Sequence, residues 1–211
     1  VKFGGAMPNF LNALSKSESS LFMFCDQDDI WLEDKIKISV EYITSLENEF
    51  GTDKPIFVSS DMKIVDDDLN LLSSSFIDYE RFGTKDSSLG HALIENNVWG
   101  CTIIGNASLR IWLSRCASYD GLIMHDWLVN LICKSAGFSY FINESTSLYR
   151  QHSGQEVGSH KFSFFKLVSG FSLQNSRSFW NTVRKNAKAF LNNYQDYLPT
   201  ESTEIIKGFI D

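Results

Sequence analysis

The chain has 211 residues and a formal net charge of -7; 43% of it is hydrophobic, 14% aromatic and 21% charged. That length and apolar content suit one ordinary domain with its own core, and the aromatic content excludes disorder. With only 19 Lys and Arg, the acidic balance argues against nucleic acid as a partner, because phosphate recognition needs clustered basic groups. An anionic ligand would instead need a metal or a few well-placed cations.

The four cysteines, Cys25, Cys101, Cys116 and Cys133, lack the CxxC spacing of zinc and redox motifs. Each sits among apolar neighbours, so the expectation is reduced, buried thiols in a cytoplasmic protein. No apolar run approaches the roughly 20 residues that a spanning helix needs. The chain begins at Val1 without an initiator Met or a visible signal peptide, and it is read as a fragment.

In chain order, "FGGAMPNFLNAL" places Met7, Phe10, Leu11 and Leu14 at helical spacing, with Pro8 tolerable in a first turn. "LFMFC" has the short apolar run of a strand buried on both faces. From Leu32 the period changes, and Leu32, Ile36, Val40, Ile43 and Leu46 form a helical stripe with Glu33 and Asp34 in its first turn. "PIFVSSDMKIVDDDLNLL" reads as a strand followed by an Asp-rich turn. "VWGCTIIGN" reads as a strand interrupted at Gly100, and "ASLRIWLSRC" as a short helix. "HDWLVNLICKSAG" is a helix with acid at its start and Gly137 at its end, and "FSYFINESTSLYRQH" is one or two strands. Strands alternating with helices predict an α/β layer structure. After Gly158 the pattern turns basic, aromatic and helical, which divides the chain into an α/β portion over 1–158 and a helical extension over 159–211.

The chemistry concentrates in "LFMFCDQDDIWLEDKI", where Asp26, Asp28 and Asp29 lie within four positions. Such crowding of carboxylates calls for a positive charge among them. In an extended segment Asp26 and Asp28 would share a face. They also follow a strand, where open α/β sheets bind ligands. Two aligned carboxylates suit a hard divalent cation that keeps positions for phosphate oxygens. A calcium loop is excluded, since Trp31 stands where its Gly belongs. A D-x-D-x-T phosphatase is excluded by Ile30 in place of Thr. An exposed acidic turn, with Asp29 or Asp34 capping the next helix, is the structural alternative.

"FCDQDDIWLEDKI" resembles the D-x-D segment of family 2 glycosyltransferases of the GT-A fold, and within them the rhamnosyltransferase-like group. "GGAMPNFLNAL", "SSDMKIVDDDLNLL", "NNVWGCTIIGNASL" and "IMHDWLVNLICKSAGFSYFINESTSLYRQHSGQEVG" resemble further segments in the family's order, covering residues 2 to 158. The resemblance implies a partial GT-A fold, a Rossmann-like mixed sheet flanked by helices. It also implies an inverting transfer of a sugar, rhamnose or one like it, from a nucleoside-diphosphate donor to a growing surface polysaccharide or lipid-linked acceptor. The family's N-terminal portion, which holds the nucleotide base, has no counterpart here. A non-catalytic fragment or sugar- or nucleotide-binding module is therefore the alternative.

On the family's pattern Asp28 would coordinate Mg2+ or Mn2+, with His152 as a further ligand. Asp26 would contact the donor ribose or the metal's water shell, and Asp29 would support the turn. Asp126 would be the catalytic base, taking the acceptor hydroxyl's proton; a capping Asp in the helix's first turn is the structural alternative and would keep its pKa low. Arg150 would hold phosphate oxygens. Gly100 would admit the donor or acceptor close to the backbone. Trp31 and Trp99 would stack on sugar faces or pack in the core. The tail from His160 to Tyr197 has two readings: packing onto the domain or a homodimer partner, and peripheral contact with the inner face of the plasma membrane.

Overall fold

The structure is a computed structural model that describes residues 5–80, 87–150 and 173–211. Its strands form one mixed sheet in the order β1 (Leu21–Met23), β5 (Ile104–Asn106), β3 (Ile56–Val65), β6 (Phe138–Arg150), β2 (Ile30–Trp31), with β4 (Leu71–Ser73) paired to β3. Only β3 and β6 run parallel; the other pairs are antiparallel. This is the expected α/β class, a mixed sheet flanked by helices with a helical C-terminal part, consistent with a partial Rossmann-like fold.

Period-two alternation along β3 decides which helices cover which face. Ile56 and Val58 turn toward α2 (Lys35–Phe50), where Ile43 and Ile104 join them in one buried cluster. Phe57 turns the other way, into the larger cluster built from α1 (Ala6–Leu14), α4 (Leu89–Ile94), α5 (Ala107–Ser114) and α6 (His125–Ala136). The short helix α3 (Phe76–Glu80) closes a third cluster of Met62, Ile64, Phe76 and Cys101. β1 separates the first two clusters: Phe22 and Phe24 enter the larger one, while Leu21 and Met23 lie against the smaller. The two-sided burial expected of "LFMFC" is thus present, in a strand of only three residues. Gly105 opposite Phe22 makes that packing close, since a Cβ there would fall into the Phe22 ring and within 2.9 Å of Leu109.

Helix α1 buries Met7, Leu11 and Leu14 as its spacing predicts. Helix α2 departs from expectation. It begins at Lys35, not Leu32, and its buried positions are Lys35, Ser39 and Ile43, with Ile36 55% exposed. The i, i+4, i+8 row that faces the sheet starts with a lysine, so the apolar stripe drawn through Ile36 lies beside the true inner face. "VWGCTIIGN" is likewise a one-turn 3-10 helix, Gly100–Thr102, followed by β5. "FSYFINESTSLYR" is one strand with register shifts where it passes Asp61.

The C-terminal helices α7 (Leu173–Tyr194) and α8 (Thr200–Ile210) place Val183, Ala187, Phe190, Tyr194 and Ile206 in the same cluster as α6. No helix among the described residues is long and apolar enough to cross a membrane. Only Cys101 and Cys133 are buried; Cys116 is half-buried and Cys25 exposed, which corrects the expectation of four buried thiols. Cys25 falls where β1 has ended and the chain turns outward.

Asn106 joins the layers. Fully buried, its Oδ1 accepts from Leu109 N (3.0 Å) and Ile56 N (3.1 Å), and its Nδ2 donates to Lys54 O (2.9 Å) and Glu47 Oε1 (3.2 Å). One side chain thereby caps α5 and ties it to β3 and the end of α2. Asn106→Ala leaves several buried backbone groups without partners and is expected to cost about 3 kcal/mol or more of stability, read as a lower urea midpoint with an unchanged denaturant slope.

Candidate active site

Three segments converge at the C-terminal ends of β1 and β6. The first is the acidic turn after β1. Gln27 and Asp28 form a turn instead of continuing the strand, so the alternation that would align Asp26 with Asp28 is broken. Asp26 and Asp29 converge instead, and with Cys101 they present ligand atoms within 4.8 Å of one another. Burial raises the Asp26 carboxyl, and Asp28 beside it raises it further. Burial pushes Asp29 up to about 6; Asp26 and Asp28 add to the rise, while the nearby Cys101 thiol and the Lys35 charge oppose it. The Cys101 thiol itself is held well above its usual range by burial and by Asp29, so it is a hydrogen-bond donor and a poor metal ligand at neutral pH.

The second segment is the start of α6. Asp126 is its second residue and is buried. Its Oδ1 accepts from Trp127 N at 2.6 Å and its Oδ2 from Gly100 N at 3.2 Å. A first-turn carboxylate with two backbone donors would ordinarily stay strongly acidic. Here burial outweighs both bonds and pushes it up to about 7, with Asp26 adding a further rise. Asp126 and the acidic turn therefore lie close enough to share one site. His125 beside it is buried between Phe10 (4.5 Å) and Phe24 (4.7 Å). Burial lowers its pKa to about 4, so the ring is neutral. Gly100 has its open face against this ring: a Cβ would collide with Nε2 and come within 3.1 Å of Cε1.

The third segment is the end of β6. β2 pairs it with Ile30 opposite Leu148 and Trp31 opposite Ser147. One step further along that register sets Tyr149 level with Asp29. The Tyr149 hydroxyl is raised by burial, then by Cys101 and all three acids of the turn. Arg150 follows at the strand's end, level with Val65 of β3.

Of the residues singled out in the sequence, Asp26, Asp28, Asp29, Gly100 and Asp126 are brought together. Trp31 lies at the rim with its ring facing Lys35 Nζ at 5.4 Å, and Trp99 packs edge-on against Phe76. His152 lies outside the described residues. Sequence reasoning gave Cys101 no part in the site, named Tyr149 only within the segment that would return to the diphosphate, and passed over Lys35. Lys35 is wholly buried, and its Nζ donates to Thr146 Oγ1 at 3.1 Å; that hydroxyl lies 2.6 Å from Ser60 Oγ. Burial lowers its pKa, against the pull of Cys101, Asp29 and Cys25. The signal available was the 35, 39, 43 row of α2, which a solvent-facing lysine would not begin.

The oxygen donors of the turn fit a hard divalent cation. Asp29 Oδ2 is buried without a hydrogen-bond partner, and the nearest soft donor, Cys101, is kept protonated. Asp61, also acidic and buried on β3, has no such role: it accepts from Met62 N, Phe76 N, Ile77 N and Ser75 Oγ, and so holds the start of α3.

No protein-family model matches the chain. It is 26% identical, over 213 aligned positions and 91% of its own length, to a protein of Shigella flexneri described as dTDP-rhamnosyl transferase RfbG. The chain spans 66% of that relative's length.

The Asp126 carboxyl gives a pH-dependent prediction. Its folded pKa is raised above the ordinary 3.8, so the folded state binds the proton more tightly and is destabilised once Asp126 ionises. Stability from this group falls as pH rises from about 4 to about 7, by on the order of 4 kcal/mol at full ionisation. Asp126→Asn removes that loss. The variant is expected to gain over the wild type above pH 7 and to lose the advantage near pH 4, measured by urea unfolding across that range. His125, whose pKa is lowered, contributes an opposite slope below its ordinary 6.5 that is common to both proteins and cancels in their difference.

Proposed function

We propose that the chain is the catalytic portion of an inverting glycosyltransferase of family 2 and the GT-A fold, which moves a sugar from a nucleoside-diphosphate donor to a glycan or lipid-linked acceptor of a growing surface polysaccharide. The observation that carries this reading is the nearness of Asp126, a buried carboxyl pushed up to about 7, to the acidic turn of Asp26, Asp28 and Asp29. The likeness to a dTDP-rhamnosyl transferase supports rhamnose as the sugar and dTDP as its carrier. A lipid-linked acceptor would set the reaction at the cytoplasmic face of the membrane.

In this reading Asp126 takes the proton of the acceptor hydroxyl as that oxygen attacks the anomeric carbon and the bond to the diphosphate breaks. A base with a pKa near the working pH is both available and strong enough to accept that proton. The Gly100 and Trp127 N–H groups fix both carboxylate oxygens and stabilise the ionised form. Neutral His125 walls the base off from water without adding charge. A single base on one side of the sugar, with the diphosphate leaving from the other, gives inversion. Asp28 would hold Mg2+ or Mn2+ with Asp26 beside it, and the cation would neutralise charge on the departing diphosphate. Arg150 at the end of β6 would meet phosphate oxygens bidentately, and the exposed part of Trp31 would face the donor.

Two measurements test the reading. Calorimetry of this chain with UDP, dTDP and GDP is expected to show Mn2+-dependent binding, tightest for dTDP, that is lost in Asp28→Ala. Transfer from a dTDP-sugar by the full-length protein is expected to fall about a thousandfold or more in Asp126→Asn while donor binding persists. Turnover retained in both variants overturns the assignment.

A further inference from the structure

Helix α7 reverses the charge balance of the chain. It carries Arg177, Arg184, Lys185 and Lys188 and no acid, in a protein of net charge -7. Its inner side is Val183, Asn186, Ala187, Phe190 and Tyr194, all buried. Arg177, Asn181, Arg184 and Lys188 recur at i, i+4, i+7 and i+11, a single stripe on the opposite side, and all four are exposed. Trp180 borders that stripe and is 43% exposed. Lys185 pairs with Asp120 at 3.3 Å. Among the described residues no carboxylate lies within ion-pair distance of Arg177, Arg184 or Lys188.

Hydration alone does not call for such a face. Arg184 and Lys188 stand at i, i+4, where like charges destabilise a helix, whereas the exposed side of α2 sets Lys37 against Glu41 at the same spacing. The helix also grips the segment that leads into Asp126. Asn193 Oδ1 accepts from Ala117 N (2.9 Å) and Ser118 N (3.0 Å), and Asn186 Oδ1 accepts from Ile123 N (3.1 Å). Whatever seats α7 therefore seats the start of α6 with it.

We propose that the exposed face of α7 docks on an anionic phospholipid surface, with Arg177, Arg184 and Lys188 against lipid phosphates and Trp180 at the depth of the headgroups. Opposite charge draws this face of an otherwise acidic chain to such a surface and turns the acidic remainder away. A tryptophan suits that depth because its ring is apolar and its N–H polar. The helix lies on the surface without entering it, since its apolar side is already packed in the core. The use of this docking rests on the proposed reaction: it would hold Asp126 at a fixed height over the headgroups, where a lipid-linked acceptor presents its sugar.

The test is co-sedimentation of the whole chain with phosphatidylcholine vesicles, with and without phosphatidylglycerol. The proteins compared are the wild type, Arg184→Glu with Lys188→Glu, and a control of equal net charge, Lys16→Glu with Lys37→Glu, at exposed sites elsewhere. The wild type is expected to bind only the vesicles that hold phosphatidylglycerol, and to leave them as salt rises. Reversal on α7 is expected to weaken that binding about tenfold or more, and the control to change it by less than about threefold. Trp180→Ala is expected to weaken binding while keeping its salt dependence. Wild type that ignores both kinds of vesicle, α7 reversal without loss, or equal losses in the two charge pairs overturns the proposal. So does self-association of the wild type that α7 reversal abolishes, which would give the face to a second copy of the chain. Urea midpoints check that each variant folds, and Arg184→Gln with Lys188→Gln carries the comparison if the reversal does not. Vesicle binding is read without donor or metal, so its failure and the failure of Mn2+-dependent dTDP binding are separate results.

Discussion

The site depends on one turn of 3-10 helix. Gly100 gives its N–H to Asp126, and Cys101, the next residue, sets its thiol beside Asp26 and Asp29, their ligand atoms within 4.8 Å of one another. Carboxylates from segments far apart in the chain thus meet at two adjacent residues. Thr102 closes the turn on Trp99 O at 2.8 Å, and β5 then carries the chain straight into the sheet. The turn cannot shift without moving both acids. Its lack of a side chain at Gly100 is what lets the His125 ring, and with it the first turn of α6, lie so close. Side chains held this way lose little freedom when a ligand arrives.

Burial, more than partner choice, sets the electrostatics. Asp126 has the hydrogen bonds of a helix-capping acid and the proton affinity of a buried one, and burial wins. His125, on the same turn, shows the converse for a base, since losing water removes its charge. The two adjacent residues thus become a weak acid and a neutral ring under one cause. The acidic turn is different in kind: there Asp26 and Asp28 add to the rise that burial gives Asp29, and a thiol and an ammonium supplied by the fold oppose it.

Much of this was legible before the fold was known. The α/β class followed from alternating strand and helix patterns, and α1, α5, α6 and the C-terminal helices lie where their apolar spacing put them. Asp26, Asp28 and Asp29 stood out as crowded acids after an apolar run, while Gly100 and Asp126 were singled out by the resemblance to a glycosyltransferase family. What was not legible depends on contacts across the chain. Lys35 looks like any surface lysine at a helix start until Thr146 and Ser60 are seen around it. Cys101 looks like a core thiol until Asp29 is beside it. The turn at Gln27 and Asp28, which brings Asp29 beside Asp26 as well, is a local choice that strand alternation cannot foresee. Asp61, another buried acid, is a cap for α3.

The larger core cluster has a consequence for how the protein is made. It joins Met7 and Leu11 near one end of the chain to Phe190, Tyr194 and Ile206 near the other. During synthesis the helix that carries Asp126 emerges long before α7 and α8, and until they arrive part of its apolar surface stands open. Until α7 and α8 are made, the nascent chain therefore carries an unfinished interior, a state open to premature association. The packing behind Asp126 is completed only when those two helices dock.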